Sequence, residues 1–202
     1  DSDKWRQYAG SHKWPLSQVY AREARLLEQR EREYVEGFDA TLVIAETEAA
    51  SVRQFAPRGA SRVHVIGNGV DTTYFDTALQ WDDPYPAGVQ RIVFTGAMDY
   101  RANVDGVAWF VAEVLPRILR RTDRVQLAIV GARPSAEVVA LGSSHVQVTG
   151  RVDDVRPYLQ HADLVVAPLR IARGVQNKVL EALAMAKHVI ATPVAMHGLG
   201  RA

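Results

Sequence analysis

The chain has 202 residues, 48% of them apolar, enough to bury a core as one large domain or two smaller ones. Its 24 Lys and Arg nearly cancel its 23 Asp and Glu, which argues against a nucleic-acid partner held by bulk charge. The absence of cysteine excludes disulfides, thiolate nucleophiles and zinc–thiolate sites, and no apolar run approaches the roughly 18 residues a membrane span needs.

No signal peptide is visible, and the chain opens on Asp-Ser-Asp, so an amino-terminal part is expected to be missing. Residues 1–75 read as helix, strand, helix, strand. The first helix is predicted over 16–34, with Tyr20, Leu27 and Tyr34 at seven-residue spacing on one stripe. Arg22, Glu23, Arg25, Glu28, Arg30, Glu31, Arg32 and Glu33 fill its other faces. Their mixed signs favour a solvated helix face over a membrane surface. Residues 40–45 (ATLVIA) predict a buried strand, 46–55 a helix and 62–66 a second strand. That is too little for an independent doubly wound domain and looks like the second half of one. Asn68-Gly69 is a strong turn former, because both residue types tolerate positive φ. No alternating strand follows, so Asn68-Gly69-Val70-Asp71 reads as a connection between domains, and 81–88 (WDDPYPAG) as a surface loop.

Beyond Arg91 short apolar runs recur at 92–94, 127–130, 146–148, 164–167 and 189–191. Several lack polar alternation, as expected of strands covered on both faces in a parallel sheet. The clearest intervening helix takes Asn103 as N-cap and buries Val104, Val107, Ala108, Val111, Leu115 and Ile118, with a kink at Pro116. Ser135 and Asp153 are expected to cap the next two helices. Strands alternating with helices predict a doubly wound α/β sheet, whose ligands bind beyond the carboxyl ends of the strands. Gly96, Gly131 and Gly150 lie at or next to such ends, each consistent with close approach of a ligand or with an ordinary turn. Neither the dinucleotide fingerprint nor the phosphate-loop pattern is present.

The loop after the fourth of these strands is more informative: PLRIARGVQNKVLEALA. Arg173-Gly174-Val175 forms a short loop, and a helix is predicted to start near Gln176 or Asn177. Unsatisfied N–H groups at that start make an anion site. Arg173 and Lys178 sit close enough to grip a diphosphate. Glu181, one turn past Lys178, suits a ribose diol, since a carboxylate accepts from two hydroxyls at once. On spacing alone an exposed Lys178–Glu181 ion pair explains the same residues. The place of the loop in the sheet favours the ligand reading.

The 173–183 segment resembles the donor-binding element of group 1 retaining glycosyltransferases of the GT-B fold. The runs FTGAMDYRANVDGVAWF, VTGRVDDVRPYL and ADLVVAPLRIARGVQNKVLEALAMAKHVIATP, with DSDKW and NGVD upstream, resemble one subgroup. Its members are the sugar transferases associated with exosortase (PEP-CTERM) and exopolysaccharide systems. The resemblance implies two Rossmann-like domains: residues 1–75 would end the acceptor domain, and 76–202 would form a nucleotide-sugar donor domain truncated at its carboxyl end. NGVD would sit at the interdomain connection.

It further implies that Glu181 is the second acidic residue of the E-x7-E motif and holds the donor ribose. The first acidic position is Arg173 here, a departure that points to a phosphate role. Lys178 suits the basic residue stabilising the leaving diphosphate, so Arg173, Lys178 and Glu181 become the catalytic set. Gly96, Gly174 and Val175 complete the donor-binding set. Arg101 is the one basic residue after Gly96 available to the diphosphate, and Arg151 and Val152 match the stretch whose backbone meets the nucleobase. A glutamate common late in the domain is His197 here, without a catalytic assignment.

The implied reaction moves a sugar from a nucleoside diphosphate sugar to a hydroxyl of a glycan or lipid-linked acceptor, with retention. No cofactor is implied beyond that co-substrate. No metal is implied either, and Asp153-Asp154 reads as a helix start. The resemblance further implies a cytoplasmic protein, with room for peripheral contact with the inner membrane through the acceptor domain. The chain as it stands is expected to bind donor without turning it over. A nucleotide-sugar epimerase of the same fold and a non-enzymatic doubly wound module are the rival readings.

Overall fold

The computed structural model describes residues 2–172, 174–196 and 199. They form two compact units, divided between Asn68 and Gly69, with Gly174 and Val175 grouped with the first unit and Gln176–Met196 with the second.

In the first unit, α1 (Ser2–Ser11) precedes α2 (Leu16–Gly37), followed by β1 (Thr41–Val43), α3 (Glu46–Phe55), a 3-10 turn (Pro57–Arg62) and β2 (Val63–Val65). β1 and β2 pair in parallel, Thr41 opposite Val63. Helix α1 is absent from the sequence expectation because its short polar run carries little hydrophobic periodicity. Helix α2 buries Ala24 and Val35, whereas Tyr34, expected on the buried stripe, is 59% exposed. Its charges pair locally as the mixed signs predicted, Arg30 with Glu33 at 2.8 Å and Arg32 with Glu28 at 3.5 Å. Val35, Val43, Ala49, Val52, Ala56 and Val63 make this unit's core.

The second unit is a five-stranded parallel sheet in the order β5-β4-β3-β6-β7. Its strands are β3 (Gln90–Thr95), β4 (Val125–Val130), β5 (Val146–Gly150), β6 (Leu164–Ala167) and β7 (Val189–Ala191). Val93, Phe94, Ala128, Ile129 and Ala167 are fully buried, as expected of strands covered on both faces. The intervening helices are α4 (Arg101–Trp109), α5 (Leu115–Leu119), α6 (Ala136–Val139), α7 (Arg156–His161), α8 (Asn177–Ala184) and α9 (Pro193–Met196).

Two local expectations change and one holds. A π-helical turn, Phe110–Val114, joins α4 to α5 directly before Pro116. Proline has no N–H for the carbonyl four residues back, and a wider turn absorbs the mismatch. The buried stripe is Ala102, Asn103, Gly106, Val107 and Phe110, and the extra residue of the π turn carries it on to Leu115, so only Val107 and Leu115 of the expected six are fully buried. Ser135 caps α6, its hydroxyl accepting from Val138 N at 3.3 Å. Asp153 does not cap α7; Asp154 instead accepts from the Arg156 amide and side chain at 2.9 Å.

The opening stretch of the second unit also differs from a plain surface loop. Neither Asn68 nor Gly69 takes a positive φ. Phe75 and Tyr85 enter the second unit's core. The Arg156 guanidinium stacks 3.8 Å from the Tyr74 ring and 4.8 Å from Trp81, a cation–π sandwich. Trp81 N donates to Gln160 Oε1 at 3.0 Å, and Tyr85 Oη donates to the Tyr158 carbonyl at 2.9 Å. Residues 71–88 are thus strapped along α7.

Candidate functional site

Strands β3 and β6 are neighbours, yet the chain lays down β4 and β5 on the far side of β3 before returning to β6. Such a reversal opens a crevice at the carboxyl ends of the two strands. Helix α4 follows one strand and α8 the other, so residues at the start of both helices converge there.

Two glycines shape this corner. Gly96, just past β3, has φ +153, and a Cβ there would lie 2.7 Å from Asn103 Nδ2 and 3.0 Å from Lys178 Nζ. Gly131, just past β4, has φ +155, and a Cβ there would lie 1.7 Å from the Gly96 carbonyl oxygen. Only glycine permits this conformation and this approach together. Gly96 N donates to Val130 O at 3.0 Å, and Gly131 N donates to Gly150 O at 3.1 Å, which draws three strand ends together.

Into this corner α8 sends Lys178. Its ammonium donates to Asn103 Oδ1 at 2.7 Å and stands 4.1 Å from the centroid of the Phe94 ring. Asn103 is 6% exposed, and its Nδ2 donates to the Ala97 carbonyl at 2.9 Å. Asn103 is therefore not the N-cap the sequence suggested. Tyr100 holds that position, and its carbonyl accepts from the amides of Asn103 and Val104 at 2.9 and 3.1 Å. The asparagine side chain faces inward, where a cap would face its own helix end.

Burial pushes the Lys178 ammonium down to about 7, and the Glu181 carboxylate offsets part of that shift. Burial likewise raises the Glu181 carboxyl above the usual carboxylate range, with Lys178 pulling it back. Lys178 gives its hydrogen bond to Asn103 and not to Glu181, so the exposed ion pair weighed from the sequence does not form. Among the described residues, a cation held this way has one neutral acceptor and one ring face around it. An anion would stabilise its charged form, and a phosphate supplies both charge and strong acceptors. Helix α8 starts at Asn177, and the amino end of its dipole adds partial positive charge.

The other expected residues are distributed unevenly. Arg101 is the first residue of α4 and is exposed. Arg151 and Val152 follow β5, the edge strand two positions from β3, or about 10 Å away at the usual spacing. Arg151 is exposed, and Val152 packs against the core cluster that contains Tyr85 and Leu159. Gly174 has φ +63, and Val175 precedes α8. Arg173 and His197 lie outside the described residues. The structure thus unites Gly96, Lys178 and Glu181, and adds Asn103 and Phe94. Sequence reading placed Asn103 as a cap because an Asn before an apolar run is the usual signature of one. Phe94 registered only as part of a strand.

Residues 89–200 match the family described as glycosyl transferases group 1. A comparison with curated protein sequences finds no match. Among solved structures, a glycosyltransferase from Rickettsia africae is similar with a TM-score of 0.66 and 17% identity, over 84% of this chain and 50% of that one. Anabaena HepE in complex with UDP-glucose matches at 0.59 and 15%, over 92% and 52%. A UDP-forming α,α-trehalose-phosphate synthase from Burkholderia xenovorans matches at 0.64 and 14%, over 83% and 49%. The chain spans about half the length of these structures. At such identities the likeness establishes the fold, a Rossmann-like α/β arrangement of the GT-B kind.

Proposed function

The chain belongs to the group 1 glycosyl transferases, and from that premise we propose that its Gly96–Lys178–Glu181 corner binds a nucleoside diphosphate sugar. In the whole protein, a sugar would pass from that donor to an acceptor hydroxyl with retention. The observation that carries the reading is Lys178: a buried ammonium at the switch point of a parallel sheet, near the amino end of α8. The Anabaena relative holding UDP-glucose supports a donor of this class.

In this reading Lys178 and the α8 amides stabilise charge on the departing diphosphate, which lowers the barrier most where water is excluded. Arg173 joins them from the preceding loop. Glu181 accepts hydrogen bonds from the ribose diol, while Gly96, Arg101, Gly174 and Val175 flank the diphosphate and Arg151-Val152 the base. The reaction needs no cofactor beyond the donor. The long runs resembling exosortase-associated transferases support a role in exopolysaccharide or surface glycan synthesis. They also support a bacterial cytoplasmic protein with a glycan or lipid-linked acceptor, positioned peripherally at the inner membrane. Among the described residues no helix is long and apolar enough to cross a membrane.

Calorimetric titration with UDP, GDP and ADP tests the donor site. At least one is expected to bind, and Glu181→Ala is expected to weaken it about tenfold, as loss of a charged hydrogen-bond acceptor does. If none binds, or if Glu181→Ala binds as tightly as the parent, the proposal fails.

A further inference from the structure

Asn103 is spent on an unusual pair of partners. Its Nδ2 donates to the main chain of the Gly96 turn at Ala97 O, and its Oδ1 accepts from Lys178. One buried side chain thus ties the loop after β3 to the helix after β6. Nothing in the helical role of residue 103 requires this, since the first turn of α4 is closed by Tyr100. Without Asn103 the lysine stem would keep its start on α8 and the ring face of Phe94, but would lose its hydrogen-bond acceptor.

We propose that Asn103 is a positioning residue for the donor phosphates: it fixes the Lys178 ammonium against the Gly96 turn, and through that ammonium it sets nucleotide affinity. The proposal rests on the donor-site reading above and extends it to a residue that touches no ligand. A neutral amide is the suitable acceptor. A carboxylate at 103 would satisfy the ammonium outright and compete with the phosphates for it. An apolar residue would leave the ammonium unheld and the Ala97 carbonyl with the Tyr100 amide, at 3.3 Å, in place of its shorter bond. Glu181 on α8 is the charged group that acts on Lys178 from its own helix; α4 contributes the Asn103 amide and β3 the Phe94 ring.

Two measurements separate the positioning from the ligand. The first follows acylation of Lys178 by an amine reagent across pH, read by mass spectrometry without nucleotide. Asn103→Ala removes an acceptor that favours the charged form, so the Lys178 profile should move to lower pH, with several-fold faster acylation near neutrality. Asn103→Asp should move it the opposite way. Unchanged profiles in both variants overturn the positioning. The second is UDP titration of Asn103→Ala, Lys178→Ala and the double variant, with thermal melts as a folding control. Asn103→Ala should weaken UDP about five- to tenfold in the parent and less than twofold once Lys178 is already alanine. Equal losses in both backgrounds would mark a merely structural asparagine and overturn the proposal. If the parent binds no nucleoside diphosphate while the acylation shifts appear, the donor reading falls and the phosphate role of Asn103 falls with it, although its hold on Lys178 stands.

Discussion

The two ends of the sheet in the second unit each hold a partly buried lysine, and the two are satisfied in different ways. At the carboxyl end Lys178 meets one side-chain amide and the face of Phe94. At the amino end Lys187 donates to two main-chain carbonyls, Gln160 O and, at 3.2 Å, Ala162 O. Those carbonyls close the last turn of α7, where a cation offsets both the orphan acceptors and the helix dipole. Burial lowers both ammonium groups. Lys187 is thus matched by fixed acceptors and reads as a staple. Lys178 has no such pair of main-chain acceptors among the described residues, and the proposed donor phosphates would supply the missing ones. Burial and charge alone do not distinguish a structural lysine from a functional one; the inventory of acceptors does.

The contrast can be broken most severely through the backbone under Lys178. Gly131→Ala puts a Cβ against the Gly96 carbonyl in a left-handed conformation, and about 3 kcal/mol or more of stability should be lost. Denaturant unfolding would show it, and a loss under 1 kcal/mol would mean the strand ends are looser than described. Lys178→Ala should cost about 2 kcal/mol of nucleotide affinity, the scale of a charge-assisted hydrogen bond, while the melting temperature holds or rises. A fall in stability with binding intact would make Lys178 a second staple.

Acidity sharpens the same comparison. Free Lys178 titrates near 7, and a bound diphosphate would favour its charged form. Binding then takes up a proton above that pH, so affinity should fall by up to about tenfold per pH unit from neutrality upward. In the Lys178→Ala variant that slope should vanish. For the fold the sign is opposite. The unfolded lysine stays protonated to about 10.4, so this residue's penalty on stability fades as pH rises from 7 toward that value. The smallest effect is expected from Lys187→Ala: about 1 kcal/mol of stability, with UDP affinity unchanged. A change in UDP affinity there would dissolve the distinction between the two ends.

Much of this architecture is written in local pattern. The five apolar runs after Arg91 lie within β3 to β7, and α8 begins at Asn177 as its flanking residues foretold. Of the candidate site, the nearness of Gly96, Lys178 and Glu181 follows from where each stands relative to the strand ends. The site was opaque where two distant segments share a side chain. Asn103 lies 75 residues from Lys178, and nothing local separates an inward-facing Asn from a cap. Beyond α4 the predicted register failed for a related reason, since the π turn changes the phase of burial after Phe110 without changing composition. Tyr85, in a Pro- and Asp-rich stretch, looked solvated but is 7% exposed because its ring packs on α7.

That strap has a practical meaning for dissection of the protein. Tyr74, Trp81 and Tyr85 are gripped by Arg156, Gln160 and Tyr158, all on or beside a helix that comes seventy or more residues later. The seam for a portable second unit therefore lies ahead of the strap, at Gly69, and not at the first strand of its sheet. A polypeptide begun at Gly69 brings its own brace. One begun at Gln90 would leave the aromatic side of α7 bare, a sticky face that invites aggregation.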